Sequence, residues 1–150
     1  MPQQVELDQT YLKMAREWSL LSTAQRKKVG CLIVKNSAII SDGYNGTPAG
    51  FDNRCEDYVD SHHMLPSKAY KLVTKAEVLH AESNAITKLA KSTQSSEGAT
   101  MYVTIPPCID CAKLIIQANI SRVVYAEPYK NEDGINLLKK ANITVNECKI

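Results

Sequence analysis

The chain has 150 residues, enough for one domain with a sizeable core. Its 18 lysines and arginines against 16 acids leave a net charge of +2, and aromatic residues make up 6%. That balance argues against a polynucleotide binder, which needs a basic face with stacking aromatics.

The first residues, MPQQVELDQTY, are polar and lack the apolar core of a signal peptide. No apolar run approaches the length of a membrane span. The five cysteines, an odd number, fit a reducing compartment. The expectation is a cytoplasmic protein.

Residues 7–24 read as an amphipathic helix, with Tyr11, Met14, Ala15, Trp18 and Leu21 at three- and four-residue spacing. VGCLIVK (29–35) and AIISDGY (38–44) read as strands joined through Asn36 and Ser37 as a hairpin. Cys31 is then a small buried hydrophobe. Residues 45–67 are rich in Gly, Pro, Asn and Asp and read as a long irregular loop. A helix (79–91), strand (99–104), helix (109–119), strand (122–126), helix (133–142) and strand (143–147) follow. Strands alternating with helices imply parallel pairing. The expected fold is α/β: a three-layer α/β/α sandwich around a mixed sheet of about five strands, antiparallel only at the first hairpin. Residues 1–150 are expected to form a single domain.

Two short patterns carry chemistry. LHAESNA places His80 and Glu82 at the start of one helix, and PPCIDC places Cys108 and Cys111 at the start of another. Alone, the C-x-x-C could be a redox dithiol, half of a structural zinc site or part of a catalytic metal site. A redox pair has no use for the upstream H-x-E. A structural zinc needs a fourth protein ligand. His80, Cys108 and Cys111 make a three-ligand set that binds zinc with one position open. A helix N-terminus favours the thiolate form of cysteine. Glu82 would then move protons beside the metal without binding it. Residues two apart on a helix point roughly 200° apart, so His80 must sit at or before the first turn. Together, H-x-E and P-C-x-x-C match the known signature of zinc-dependent nucleobase deaminases.

The likeness extends beyond the metal pattern. VGCLIVKNSAIISDGYNGTPAGFDNRCED, HAESNAI, EGATMYVTIPPCIDCAKLI and RVVYAEPY resemble the deoxycytidylate (dCMP) deaminases, particularly those of phages, from about Leu12 to Tyr129. GYNGTPAG is not shared by the deaminases of free cytidine, tRNA adenosine or polynucleotide cytosine.

The resemblance implies one catalytic Zn2+ on His80, Cys108 and Cys111. It implies that Glu82 takes a proton from water and delivers it to N3 of cytosine. Water adds at C4 and ammonia leaves, converting dCMP to dUMP for thymidylate synthesis. By the same resemblance Asn45 binds the sugar, the Ala81 main-chain amide anchors the base, and Tyr129 lies near the phosphate. Ser22 and the cations Arg26, Lys27 and Lys28 are further phosphate partners, or a solvated charge run.

The family also implies a homohexamer activated by dCTP and inhibited by dTTP, with Mg2+ accompanying the regulatory nucleotide. Gly43, Tyr44, Gly46, Asp52, Asn53 and Glu56 are the candidate regulatory residues, because a Gly- and Asn-rich loop can present amides to phosphate. No membrane or nucleic-acid polymer is expected as a partner. Some phage relatives carry a second, structural zinc built partly from a cysteine before the first strand and another in the loop. Here STAQRKKVG (22–30) has no cysteine, while Cys55, His62 and His63 remain, so one zinc per chain is expected. The competing readings are a tRNA or single-strand editor, which would show a basic groove, and a zinc-stabilised binding module, which would close its metal with a fourth ligand.

Overall fold

A computed structural model of the chain describes residues 1–60 and 70–150. Helix α1 (Gln4–Ser19) leads into strands β1 (Gly30–Lys35) and β2 (Ala38–Tyr44). Strands β3 (Glu56–Asp60) and β4 (Tyr70–Thr74) come next. The rest alternates: α2 (Ala81–Ala90), β5 (Thr100–Val103), α3 (Ile109–Gln117), β6 (Arg122–Tyr125), α4 (Asp133–Lys140) and β7 (Thr144–Glu147). Five strands form one sheet in the order β2-β1-β5-β6-β7.

Strand β1 runs against both neighbours, β2 and β5, while β5, β6 and β7 are parallel. The antiparallel pairing is therefore not confined to the first hairpin. The reason is topological. The chain leaves β2 at the sheet edge and returns through α2 on the far side of β1, so β1 alone points the other way. The crossovers through α2, α3 and α4 all step the same way across the sheet. Right-handed connections then put all three helices on one face.

Side chains alternate between the two faces, as strand geometry requires. Cys31, Ile33, Met101, Val103 and Val123 pack under the helices with Ala85, Ile115 and Leu138. Leu32, Val34, Tyr102 and Val124 face the other way, onto Leu12 and Ala15 of α1. Each large aliphatic side chain buried here contributes about 1.5–3 kcal/mol. This is the expected α/β/α sandwich.

The buried face of α1 is Asp8, Leu12, Ala15 and Ser19. Met14 and Leu21, read from spacing as part of the apolar stripe, are exposed at 43% and 52%. The helix ends at Ser19 rather than at residue 24, which leaves Leu21 beyond it, and the buried stripe includes Asp8, which meets Arg122 of β6 as described below. The Asn36–Ser37 turn matches its expectation, with φ of 50° and 63°, the left-handed pair of a tight hairpin.

The segment expected to be irregular holds an antiparallel hairpin instead. Glu56 pairs with Thr74 and Tyr58 with Leu72. Tyr58 and Val59, adjacent and so on opposite faces, are both exposed, and neither face reads as a buried apolar one. Part of the 45–67 stretch, with His62 and His63, lies outside the described residues.

Candidate active site

The strand-to-helix turns before α2 and α3 open at the same edge of the sheet. His80 is the N-cap of α2, with φ −75° and ψ 158°, and Cys108 is the N-cap of α3, with φ −70° and ψ 172°. Both are extended rather than helical. This meets the condition set by the spacing of His80 and Glu82: the imidazole leaves before the first turn and Glu82 lies inside it. Pro107, fully buried, precedes the α3 cap.

Close packing fixes both turns. A Cβ on Gly43 of β2 would lie 2.3 Å from the Ala81 carbonyl oxygen and 2.8 Å from the Ala85 nitrogen. A Cβ on Gly134 of α4 would lie 1.9 Å from the Pro107 carbonyl oxygen and 2.9 Å from the Cys108 carbonyl carbon. Two glycines thus let the helix starts that carry the donors settle where they do.

Nδ1 of His80 lies 3.4 Å from Sγ of Cys108 and 3.3 Å from Sγ of Cys111. The three donor atoms all lie within 4.8 Å of one another. Donors around a tetrahedral zinc with ordinary Zn–N and Zn–S bonds stand about 3.6 Å apart, so the set fits that ion with small adjustment. Among the described residues no other group of His, Cys, Asp or Glu converges in this way, and the Glu82 carboxylate falls outside the set.

The electrostatics suit a metal. Hydrogen bonding from Cys111, then from His80, holds the Cys108 thiol down at about 4. Cys111, hydrogen-bonded to that thiolate and buried, is pushed up. Two thiols so placed share one proton until a cation displaces it. His80 is raised, chiefly by its hydrogen bond to Cys108. Glu82 is only 4% exposed, and burial lifts its carboxyl to about 7. A carboxyl so placed takes up and gives back a proton near neutral pH.

A cavity of about 420 Å³ opens in front of these groups. His80, Ala81, Glu82 and Cys108 form one wall, and Asn45, Arg26, Tyr129 and Glu56 also line it. The Asn45 side chain ties down the start of β1: Oδ1 accepts from the Val29 N–H at 2.9 Å and Nδ2 donates to the Lys27 carbonyl at 2.8 Å. One amide hydrogen and one lone pair remain for a ligand. As the first residue of α2, Ala81 has an N–H without an intrahelical acceptor. Ser22 is buried and donates to the Asn45 carbonyl at 2.7 Å, so it supports the Asn45 loop from behind the cavity wall.

The candidate regulatory residues divide. Gly43, Tyr44, Gly46 and Asn53 line a second cavity of about 480 Å³, together with Thr23, Asn84 and Lys88. Glu56 lies in the wall of the first cavity instead. Asp52 lines neither; it caps a turn by accepting from the Arg54 N–H at 2.8 Å. Sequence reasoning missed Lys27's ion pair with Glu127 at 3.2 Å, Thr74 and Asn131, all at the first cavity. Thr74 had no signal because its strand was not recognised. Cys55 is buried beside Thr23 Oγ1, at 3.5 Å, with His62 and His63 outside the described residues.

Three metal donors, with a carboxylate held apart from them at the back of a cavity, define a site for metal-assisted hydrolysis. Residues 5–127 match the cytidine and deoxycytidylate deaminase zinc-binding region, and the chain belongs to that family. It is 36% identical to the deoxycytidylate deaminase of Enterobacteria phage T4, over 91% of this chain and 86% of the relative. It is 38% identical to the deoxycytidylate deaminase of phage T2, over 91% and 89%. The crystal structure of the dCMP deaminase of cyanophage S-TIM5, in complex with dCMP and dUMP, superposes with a TM-score of 0.83 and 38% identity. That match covers 97% of this chain and 99% of the other. No described helix is long and apolar enough to cross a membrane.

Proposed function

We propose that residues 1–150 act as one zinc-dependent hydrolytic unit that converts dCMP to dUMP and ammonia. The observation that carries the reading is Glu82. It is a buried carboxylate beside three convergent metal donors, facing a cavity of about 420 Å³ with cations at its rim. The phage relatives named as deoxycytidylate deaminases support the choice of substrate.

His80, Cys108 and Cys111 would hold the zinc. When bound, zinc supplies a Lewis acid that lowers the pKa of water to about 7. Glu82 accepts a proton from the attacking water and passes it to N3 of cytosine, which makes C4 electrophilic; it then takes the proton of the hydroxyl added at C4 and gives it to the amino group, which leaves as ammonia as the C4 carbonyl forms. The Ala81 N–H anchors the base, and the spare hydrogen-bonding capacity of Asn45 takes the sugar. Arg26, Lys27 and Tyr129 face the phosphate, with Ser22 holding the Asn45 loop.

The reading extends to regulation. The second cavity, with Gly43, Tyr44, Gly46 and Asn53, suits a nucleoside triphosphate, activating dCTP or inhibiting dTTP, with Mg2+ on its phosphates. The active form is a homohexamer working in the cytoplasm. A zinc-only binding module is disfavoured because no fourth protein donor converges on the three among the described residues. One experiment tests the substrate. The zinc-loaded chain is incubated with dCMP, cytidine and a cytosine-containing oligonucleotide, and uracil products and ammonia are measured. Product from dCMP is expected; product from the oligonucleotide alone would reject the reading.

A further inference from the structure

Glu56 opens β3 and is only 2% exposed. A charged carboxylate is buried this deeply only when something holds it. Both of its oxygens face the backbone N–H of Gln25, at 2.9 and 2.8 Å, across 31 residues of chain. Gln25 lies in the connection between α1 and β1, immediately before the cations Arg26 and Lys27 that line the first cavity.

The same connection is strapped at three more points, one to the loop just before β3 and two to the β3–β4 hairpin. Thr23 Oγ1 donates to the Asn53 carbonyl, Tyr58 Oη donates to the Gln25 side chain at 3.4 Å, and Arg26 Nη1 donates to Thr74 Oγ1 at 3.2 Å. On its other side, Asn45 holds the connection through Lys27 and Val29. Among the described residues, Glu56 is the one buried acidic side chain of the hairpin that contacts this connection. It also grips the main chain, so its effect passes to whatever follows Gln25. Arg26 and Lys27 are themselves exposed, and long exposed cations lose entropy when one position is imposed on them. Anchoring the backbone beneath them lowers that cost before a ligand arrives.

We propose that Glu56 is a positioning residue that sets the preference for a phosphorylated substrate, by holding the Gln25 backbone so that Arg26 and Lys27 face the phosphate end of the cavity. The proposal rests on the dCMP reading above. Glu56 would act through the two cations and would not touch the reacting base.

The test is steady-state kinetics of the zinc-loaded full chain on dCMP and on deoxycytidine, which differ only in the phosphate. E56A is expected to raise KM for dCMP about tenfold, and to lower kcat/KM on dCMP at least about fivefold more than on deoxycytidine. E56Q, whose amide oxygen still accepts from Gln25, should recover KM for dCMP. In an R26A/K27A background, E56A should add no further loss, because the groups it positions are gone. If E56A does not fold, Glu56→Asp, one methylene short of Gln25, is read in the same way. Equal losses on both substrates, an additive effect in the R26A/K27A background, or an unchanged KM for dCMP would each overturn the proposal. A wild-type chain inert on dCMP would instead overturn the substrate reading, and this proposal with it.

Discussion

Asp8 of α1 and Arg122 of β6 meet fork to fork: Nη1 lies 2.9 Å from Oδ1 and Nη2 lies 2.7 Å from Oδ2. The Tyr102 hydroxyl donates to Oδ1 at 2.7 Å. Burial pushes the Asp8 carboxyl up, but hydrogen bonds from Arg122, Tyr102 and Gln4, with the guanidinium charge, outweigh it and hold the carboxyl below its usual range. The pair binds α1 to the face of the sheet away from the metal donors.

The sign of its pH dependence follows. A carboxyl lowered on folding stabilises the protein above its unfolded pKa, near 3.8, and the contribution is lost as pH falls through the folded value. Asp8→Ala leaves the Arg122 guanidinium without its counter-ion, held only through Nε by the neutral Asn146 Oδ1 among the described residues, and should cost about 3 kcal/mol near neutral pH, with the deficit shrinking below pH ~4. Urea denaturation at pH 7 and at pH 3 would measure it. An equal deficit at both values would contradict the assignment.

Glu82→Gln removes the proton carrier and leaves the three metal donors in place. Turnover of dCMP should fall by about 10²–10⁴ or more while zinc stays near one per chain. Product assay and metal analysis on the same sample decide the matter. Near-wild-type turnover would sink the proposed mechanism. The metal count also tests the second structural zinc: two zincs per chain would restore it.

Gly43→Ala and Gly134→Ala put a methyl group against backbone, so the helix starts carrying His80 and Cys108 must shift. Zinc affinity should fall by about 10- to 100-fold in each, as it does when groups that orient metal ligands are disturbed. Competition with a chromogenic chelator measures this. By contrast, Gly46→Ala meets nothing within 4 Å and should bind zinc normally.

Removing zinc altogether should unlink the two cap residues and leave two thiols and an imidazole competing for protons. The apo chain should therefore be less thermostable, and Zn2+ added back should restore its melting temperature in proportion to binding. A melting temperature unmoved by chelator would mean that His80, Cys108 and Cys111 do not hold the ion.

Regulation predicts that rate curves in dCMP shift with added dCTP or dTTP, in a manner requiring Mg2+. Asn53→Ala, at the second cavity, should weaken that response by about tenfold through loss of a hydrogen-bonding side chain. Curves indifferent to both nucleotides would remove the regulatory reading and leave the substrate reading intact.

The elements that position the metal donors were legible because each follows a local rule. Apolar runs marked β1 and β5, and the proline pair before Cys108 marked the start of α3. The H-x-E and C-x-x-C spacings named the chemistry, since metal binding depends on residue type and on only a few local angles. The β3–β4 hairpin is not legible in the sequence: its strands bury no apolar face, and they exist through pairing with each other across residues of quite different character. The buried face of α1 was misplaced for a related reason, because periodicity counts apolar residues and the position drawn in here is an aspartate. Glu56 reads from the sequence as a candidate regulatory residue of a polar loop, and its burial against Gln25 depends on both segments being in place. Sequence alone therefore determined the donor set, the general carboxylate and the layered fold. Only the tertiary structure decided which charges are buried, which cations share the substrate cavity, and how closely two glycines let the helix starts approach. Those are properties of contacts between distant segments, and a linear pattern carries no record of them.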